Sequence, residues 1–90
     1  MSQHIVPLDS TTEAVVGWDP PMETFFAQIY KIDETGERIS AEDNGTILWI
    51  GTRSREIYEL ETLIGLLATY KLRLDRKLQA DLYADRDDGR

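Results

Sequence analysis

The spacing of apolar residues changes once along the chain, after Gly51, and this change limits the folds that the chain can adopt. Before Gly51 the apolar residues form short β-rich runs separated by turn residues, whereas after it leucines recur at helical spacing. Strands followed by helices predict an α+β fold. We expect a small antiparallel sheet of about three strands, followed by two C-terminal helices packed on one face.

Three runs in the first half are predicted strands. Residues 14–18 are small and β-branched, and they end at an Asp-Pro-Pro turn. Residues 24–32 alternate so that apolar side chains fall on both faces, which predicts a central strand. Residues 46–51 form a compact apolar run, which should pair antiparallel with 24–32 across the acidic connection 33–45.

Two helices are predicted in the second half. Residues spaced at i, i+3, i+4 and i+7 predict a helix over 58–70, and they are Leu60, Leu63, Ile64 and Leu67. A second helix should follow a short turn, because leucines recur every fourth residue at Leu74, Leu78 and Leu82. Asp75 lies near the start of this second helix.

The length of 90 residues allows one modest core, since a chain of this size buries only about 60 to 65% of its unfolded surface. Residues 1–12 contain few large apolar groups, so we expect a flexible lead-in that could add a short edge strand. Residues 13–86 should form a single α+β domain, and residues 87–90 a frayed tail.

The composition excludes several classes of function. Seventeen acidic and ten basic residues give a net charge of −7, which repels nucleic-acid phosphates and favours a basic partner. The absence of cysteine excludes disulfides and thiolate sites. No long apolar run or signal-type start is present. We therefore expect a cytoplasmic protein that makes no use of a membrane.

No grouping of residues predicts a catalytic, cofactor or metal site. His4 is the sole histidine and lies in the lead-in, where we expect a solvated side chain. The glycines form neither a dinucleotide-binding motif nor a P-loop. Glu56 is the acid best placed for burial, and we expect it to pair with Arg53 or Arg55 at a helix entry rather than to catalyse a reaction.

Two clusters of opposite charge are candidate electrostatic contacts. The acids of the connection 33–45 are Asp33, Glu34, Glu37, Glu42 and Asp43. They lack the ligand spacing of a calcium-binding EF-hand loop, which favours a solvated loop. The bases that follow the first predicted helix are Lys71, Arg73, Arg76 and Lys77. Their lack of interleaved aromatics favours pairing with acids, within the chain or between subunits, over nucleic-acid binding.

Three aromatic residues are candidate anchors for a partner: Trp18, Phe26 and Trp49. Large aromatic side chains are enriched among the residues that dominate binding energy at interfaces. For Trp18, which precedes a rigid turn, two alternatives are open: it fills the end of the core, or it stands at a rim as an anchor. The core position is favoured, because a small core has few other large side chains to fill it.

Two segments carry a resemblance that spans residues 15–85. The first is a Gly-aromatic-Asp-x-Pro turn before a Phe-Phe strand, here Gly17, Trp18, Asp19, Pro21, Phe25 and Phe26. The second is Trp-x-Gly-x-x-x-Arg-Glu-Ile, here Trp49, Gly51, Arg55, Glu56 and Ile57. In both, the chain resembles small uncharacterised bacterial proteins often encoded on plasmids and integrative elements. The resemblance implies that setting and no mechanism. The chain departs from it at Tyr58 and Glu59, where Pro-Thr would open the helix.

These features predict a non-enzymatic protein, either a protein-protein interaction module or a regulatory accessory of a bacterial cell or mobile element. It would bind through an apolar patch rimmed by acids, or pair with itself as a homodimer. One alternative is an acidic nucleic-acid mimic that occupies the groove of a basic protein. A second alternative is a small-molecule enzyme that uses Glu56 with Arg53 or Arg55, which requires a pocket around these residues.

Overall fold

Four strands and two helices form two layers in the computed structural model, which describes residues 2–89 and, for residue 41, the backbone alone. The elements are β1 (His4–Pro7), β2 (Thr12–Asp19), β3 (Thr24–Lys31), β4 (Thr46–Ile50), α1 (Leu60–Ala68) and α2 (Arg76–Asp88). A 3-10 turn, Ala41–Asp43, lies between β3 and β4. The predicted α+β fold with C-terminal helices is confirmed. Residue 1 of the predicted lead-in and residue 90 of the predicted tail lie outside the described residues.

The sheet is an antiparallel meander in the order β1-β2-β3-β4. β3 lies between β2 and β4, which confirms its predicted central position and its antiparallel pairing with the run 46–51. The strand β1 lies within the predicted lead-in and pairs with β2, from His4 opposite Val16 to Pro7 opposite Glu13. The sheet therefore contains one strand more than the three that the sequence pattern predicts.

Alternate residues of β2 and β3 face the helices and form the core. The buried strand residues are Ala14, Val16, Trp18, Phe25, Ala27 and Ile29, and the buried helix residues include Leu60, Leu63, Leu67 and Leu82. Trp18 is 3% exposed, and its ring meets that of Phe25 edge-on with 4.9 Å between centroids. Of the two alternatives for Trp18, the structure shows the core position, so this side chain does not present an exposed anchor.

The two helices begin differently. α2 starts after Asp75, whose carboxylate accepts a hydrogen bond from the Leu78 amide at 2.8 Å. α1 starts after Glu59, whose side chain makes no capping hydrogen bond. α1 lies within the predicted helix 58–70, and its start at Glu59 is uncapped. A threonine there would supply the missing acceptor.

His4 is fixed in the fold, so the prediction of a solvated side chain was wrong. Its Nε2 lies 2.7 Å from Oδ2 of Asp85 in α2, and the Asp85 side chain is buried. His4 belongs to β1, and its partner lies 81 residues further along the chain, a distance that local pattern does not reveal. The contact ties the edge strand to the last helix.

Candidate interaction surface

The two faces of the sheet have different surroundings. Both helices pack on one face, here called the covered face, where the core lies. The other face, here called the open face, is formed by the intervening residues of the strands. On β2 and β3 these form opposite pairs across the strands, and they are Glu13, Val15, Gly17, Phe26, Gln28 and Tyr30. A candidate site on the open face is therefore built on paired strands, which hold side chains more precisely than loops.

A groove with a volume of about 380 Å³ runs across the open face. Its centre is one cross-strand row in which Ile5, Val15, Gln28 and Trp49 are successive partners on the four strands. Val15 is buried at the floor, whereas Ile5 and Trp49 at the two ends of the row are 66% and 64% exposed. The row therefore forms a concave surface with an apolar side chain standing at each edge of the sheet.

Phe26 contributes to the floor of this groove rather than to its walls. It is half-buried and lies opposite Gly17 on β2. A Cβ atom on Gly17 would lie 2.7 Å from the Phe26 ring and would overlap the backbone carbonyl of Ser2. Glycine at position 17 therefore allows the aromatic ring to pack against the β2 backbone, which keeps the groove open.

The polar groups at one end of the groove have partners within the chain. The Tyr30 hydroxyl donates a hydrogen bond to Glu13 Oε1 at 2.5 Å, and the Arg38 guanidinium lies 3.8 Å from the centre of the Tyr30 ring. Burial and the hydrogen bond to Glu13 raise the pKa of Tyr30. Arg38 also donates to Gln28 at 3.3 Å. These contacts hold the end of the groove in shape.

Of the three predicted anchors, the structure brings Phe26 and Trp49 together on the open face and places Trp18 in the core. The sequence pattern did not identify Ile5 or Val15 as part of this surface. The sequence of β1, His-Ile-Val-Pro, does not alternate polar and apolar residues, so it carries no signal for the face on which Ile5 lies. Four residues ending in a proline are also too short a run for an alternation to be decisive.

The five predicted acidic contacts are exposed and fall in two groups. Asp33, Glu34 and Glu37 lie in the turn after β3, and Glu42 and Asp43 lie in the 3-10 turn before β4. The Asp33 carboxylate accepts hydrogen bonds from the Thr35 hydroxyl at 2.6 Å and the Glu37 amide at 3.0 Å, which lower the pKa of Asp33. Within residues 2–89, no three His, Asp or Glu side chains are grouped to hold a metal ion.

The four predicted basic contacts lie around the start of α2. Lys71 and Arg73 precede the helix, and Arg76 and Lys77 lie in its first turn. None of them forms an ion pair with another residue in the described range. The ion pairs there join other bases to acids, such as Arg55 to Glu23 at 2.8 Å. The acidic and basic clusters therefore do not pair with each other within one chain.

Glu56 does not form the ion pair that the sequence predicted. It is exposed, and its carboxylate accepts a hydrogen bond from the Gly51 amide at 2.9 Å. Arg55 instead binds Glu23 through both Nε and Nη2. The prediction was wrong because Gly51 adopts a φ of 79°, which turns the chain and brings its amide to Glu56. The carboxylate stabilises the turn that ends β4.

No family model, no curated protein and no solved structure matches this chain. Within residues 2–89, neither helix combines the length and the apolar character that crossing a bilayer requires.

Proposed function

We propose that this chain is a non-enzymatic interaction protein, and that its open face binds a protein partner. One observation carries the proposal: Ile5 and Trp49 stand 66% and 64% exposed at the two ends of the cross-strand row that lines the groove. A concave groove lined largely by apolar side chains is typical of a binding site. The covered face, by contrast, buries its apolar residues inside the chain.

The energetics of the groove favour binding. Burying the exposed part of a tryptophan side chain contributes about 2 to 3 kcal/mol from apolar area alone. Trp49 lies on a paired strand, whose backbone is already ordered. Binding there costs less conformational entropy than binding to the same side chain on a loop. The groove floor of Val15, Phe26 and Tyr30 is already packed, which reduces the cost of reorganisation.

The net charge of the chain indicates the chemistry of the partner. The charged side chains that line the groove are Asp19 and Arg38, one of each sign, and the acidic turn that carries Asp33, Glu34 and Glu37 lies beyond the lining. With a net charge of −7, the chain attracts positive surfaces at long range. The proposed partner is a protein segment with bulky apolar side chains flanked by lysines or arginines.

The polar groups near the groove support binding rather than catalysis. Tyr30, Glu13, Arg38 and Gln28 are engaged with one another, so each would have to break a contact to act on a substrate. A regulatory or accessory role in the bacterial cytoplasm or on a mobile element accords with the resemblance of residues 15–85 to plasmid-encoded proteins.

A capture experiment with matched variants tests this function. Immobilised wild-type protein is compared with Trp49→Ser, which removes an exposed wall of the groove, and with Tyr70→Ser, which removes an aromatic side chain that is 44% exposed outside the groove. We expect the wild-type protein and Tyr70→Ser to retain the same partner from a lysate of the source cells, and Trp49→Ser to lose it.

The recovered partner is then added to isotopically labelled protein, and amide signals are recorded. Signals of Ile5, Val15 and Gln28 should shift, because these residues share the groove row with Trp49. The proposal is overturned when no partner is retained, when Trp49→Ser retains it as well as the wild-type protein, or when the shifted signals lie on the helices.

A further inference from the structure

The edge strand β4 lacks the devices that usually prevent strand edges from pairing. Its sequence, Thr-Ile-Leu-Trp-Ile, contains no charged residue and no proline, and Ile47 and Trp49 are exposed. The opposite edge strand, β1, is shorter and ends in Pro7. The register shift between β3 and β4 leaves Ile47 without a partner on β3, whereas Leu48, Trp49 and Ile50 pair regularly. β4 therefore presents a free and regular edge at its C-terminal half.

The two ends of β4 carry opposite charge. Glu42 and Asp43 precede the strand, whereas Arg53 and Arg55 follow it. Within residues 2–89, the Glu42 carboxylate and the Arg53 guanidinium have neither an ion pair nor a side-chain hydrogen bond. Arg55 is held by Glu23, and Glu56 is turned back onto the Gly51 amide. Glu42 and Arg53 are therefore exposed charges, one at each end of this edge, that make no side-chain contact within the described residues.

We infer that β4 pairs antiparallel with β4 of a second copy of this chain, about a two-fold axis that passes through the facing pair of Leu48 residues. In this arrangement the N-terminal end of one strand lies beside the C-terminal end of the other, so Glu42 of each copy approaches Arg53 of the other. A parallel arrangement would place acid beside acid and base beside base. The charges thus select the antiparallel pairing, which is also the one that closes as a dimer.

The dimer would join two sheets of four strands into one continuous sheet. Trp49 of each copy lies near the axis on the open face, so the two grooves would meet there and form one longer surface. The contact is short, because β4 has five residues, and it therefore belongs with the small and weak class of protein interfaces. We expect an equilibrium between monomer and dimer that salt shifts toward the monomer.

This self-association rests on the strand edge and its flanking charges, and it does not depend on the proposed binding of another protein in the groove. A monomeric protein that still captures a partner through Trp49 would refute the dimer alone. A dimer that captures no partner would refute the proposed function alone.

Reciprocal charge reversal tests the dimer. Glu42→Lys and Arg53→Glu each place like charges at both ends of a symmetric interface, and neither substitution breaks a side-chain contact within the described chain. Sedimentation velocity over a concentration series reaching about 1 mM should show a wild-type dimer. Each single variant should associate about tenfold more weakly, since two attractive contacts become repulsive.

The decisive sample is an equimolar mixture of the two variants. In a mixed dimer, the lysine introduced at position 42 of one chain lies beside the glutamate introduced at position 53 of the other, and at the second end Glu42 lies beside Arg53. We expect association of the mixture to recover to the wild-type level.

Two further variants control for net charge. Glu34→Lys and Arg73→Glu change the net charge equally at exposed positions beyond the β4 flanks, and they should leave wild-type association unchanged. A monomeric wild-type protein, single variants that associate as the wild type does, or a mixture that stays monomeric would overturn the inference.

Discussion

The covered face and the open face are built from the same strands, yet the first is buried and the second is exposed to water. On the covered face Ala14, Val16 and Phe25 are fully buried beneath the helices. On the open face the row of four strand partners ends in Ile5 and Trp49, both largely exposed. Folding of the single chain buries the apolar side chains of the covered face and leaves apolar side chains of the open face exposed to water. The difference separates residues that stabilise the fold from residues that remain exposed to solvent.

The largest expected effect is the difference in stability between a substitution on the covered face and one on the open face. Leu63→Ala removes a fully buried side chain from α1 above the covered face, and it should lower the free energy of unfolding by about 2 to 5 kcal/mol. Trp49→Ala on the open face should change it by no more than about 0.5 to 1 kcal/mol, as an exposed position does. Urea unfolding monitored by circular dichroism measures both. Equal losses in the two variants would abolish the distinction between the faces.

A smaller effect should come from the connection that carries the helices to the covered face. Thr24 is fully buried, and its hydroxyl accepts a hydrogen bond from the Ile57 amide at 2.8 Å. Thr24→Val keeps the shape but leaves that amide without a partner, which should cost about 1 to 3 kcal/mol. Thr24→Ser keeps the hydroxyl and is the control in the same unfolding assay. A valine variant as stable as the serine variant would contradict this account.

A substitution at the start of α1 should stabilise the fold without altering the open face. Glu59→Thr supplies the hydroxyl acceptor that the helix start lacks, and it should raise the free energy of unfolding by about 0.5 to 1 kcal/mol. Glu59→Ala removes the same carboxylate without supplying a cap, so it measures the loss of the contact between Glu59 and Arg86 at 3.8 Å. Thermal unfolding of the three proteins should rank threonine first. Capture of a partner by the open face should not change.

The smallest effect concerns the turn that places Ile5 at the wall of the groove. Hydrogen bonds from the Thr12 hydroxyl and the Thr11 amide lower the pKa of Asp9 from 3.8 to about 2. Because the folded-state pKa is depressed, the stabilisation is fully present above pH 3.8 and is lost as the pH falls toward about 2. Carboxyl-carbon NMR should show a midpoint near 2 for Asp9, and Thr12→Val should move it upward. A midpoint of 3.8 in the wild-type protein would refute the turn geometry.

Much of the fold was predictable because its signals are local. Apolar residues recur at a regular spacing within a few residues in each of these elements, because one side of each element is buried. The elements are the strand 24–32, the antiparallel run 46–51 and the two helices. β1 was not predicted as a firm strand, since four residues ending in proline carry little periodic signal, and their pairing with β2 supplies the stability. The same limit applies to His4, whose partner Asp85 lies in the last helix.

The candidate site was predictable only in part. Phe26 and Trp49 were identified by residue type, and the structure places both on the open face, whereas Trp18 was left between two alternatives that burial in the core resolves. Ile5 and Val15 joined the site through cross-strand pairing, which no local pattern reveals. Glu56 was assigned the wrong partner because the turn at Gly51 decides which donor it meets.

The sequence by itself determined the α+β class, the central strand, the helices and the surplus of acidic charge, because each follows from local periodicity or from composition. The tertiary structure alone decided which of the two apolar faces of β3 the helices would cover. Both faces carry large apolar side chains, so the pattern is compatible with either choice. Burial of α1 and α2 against one face leaves the other face, with Ile5 and Trp49, exposed to solvent, and this is the surface where we propose that a partner binds.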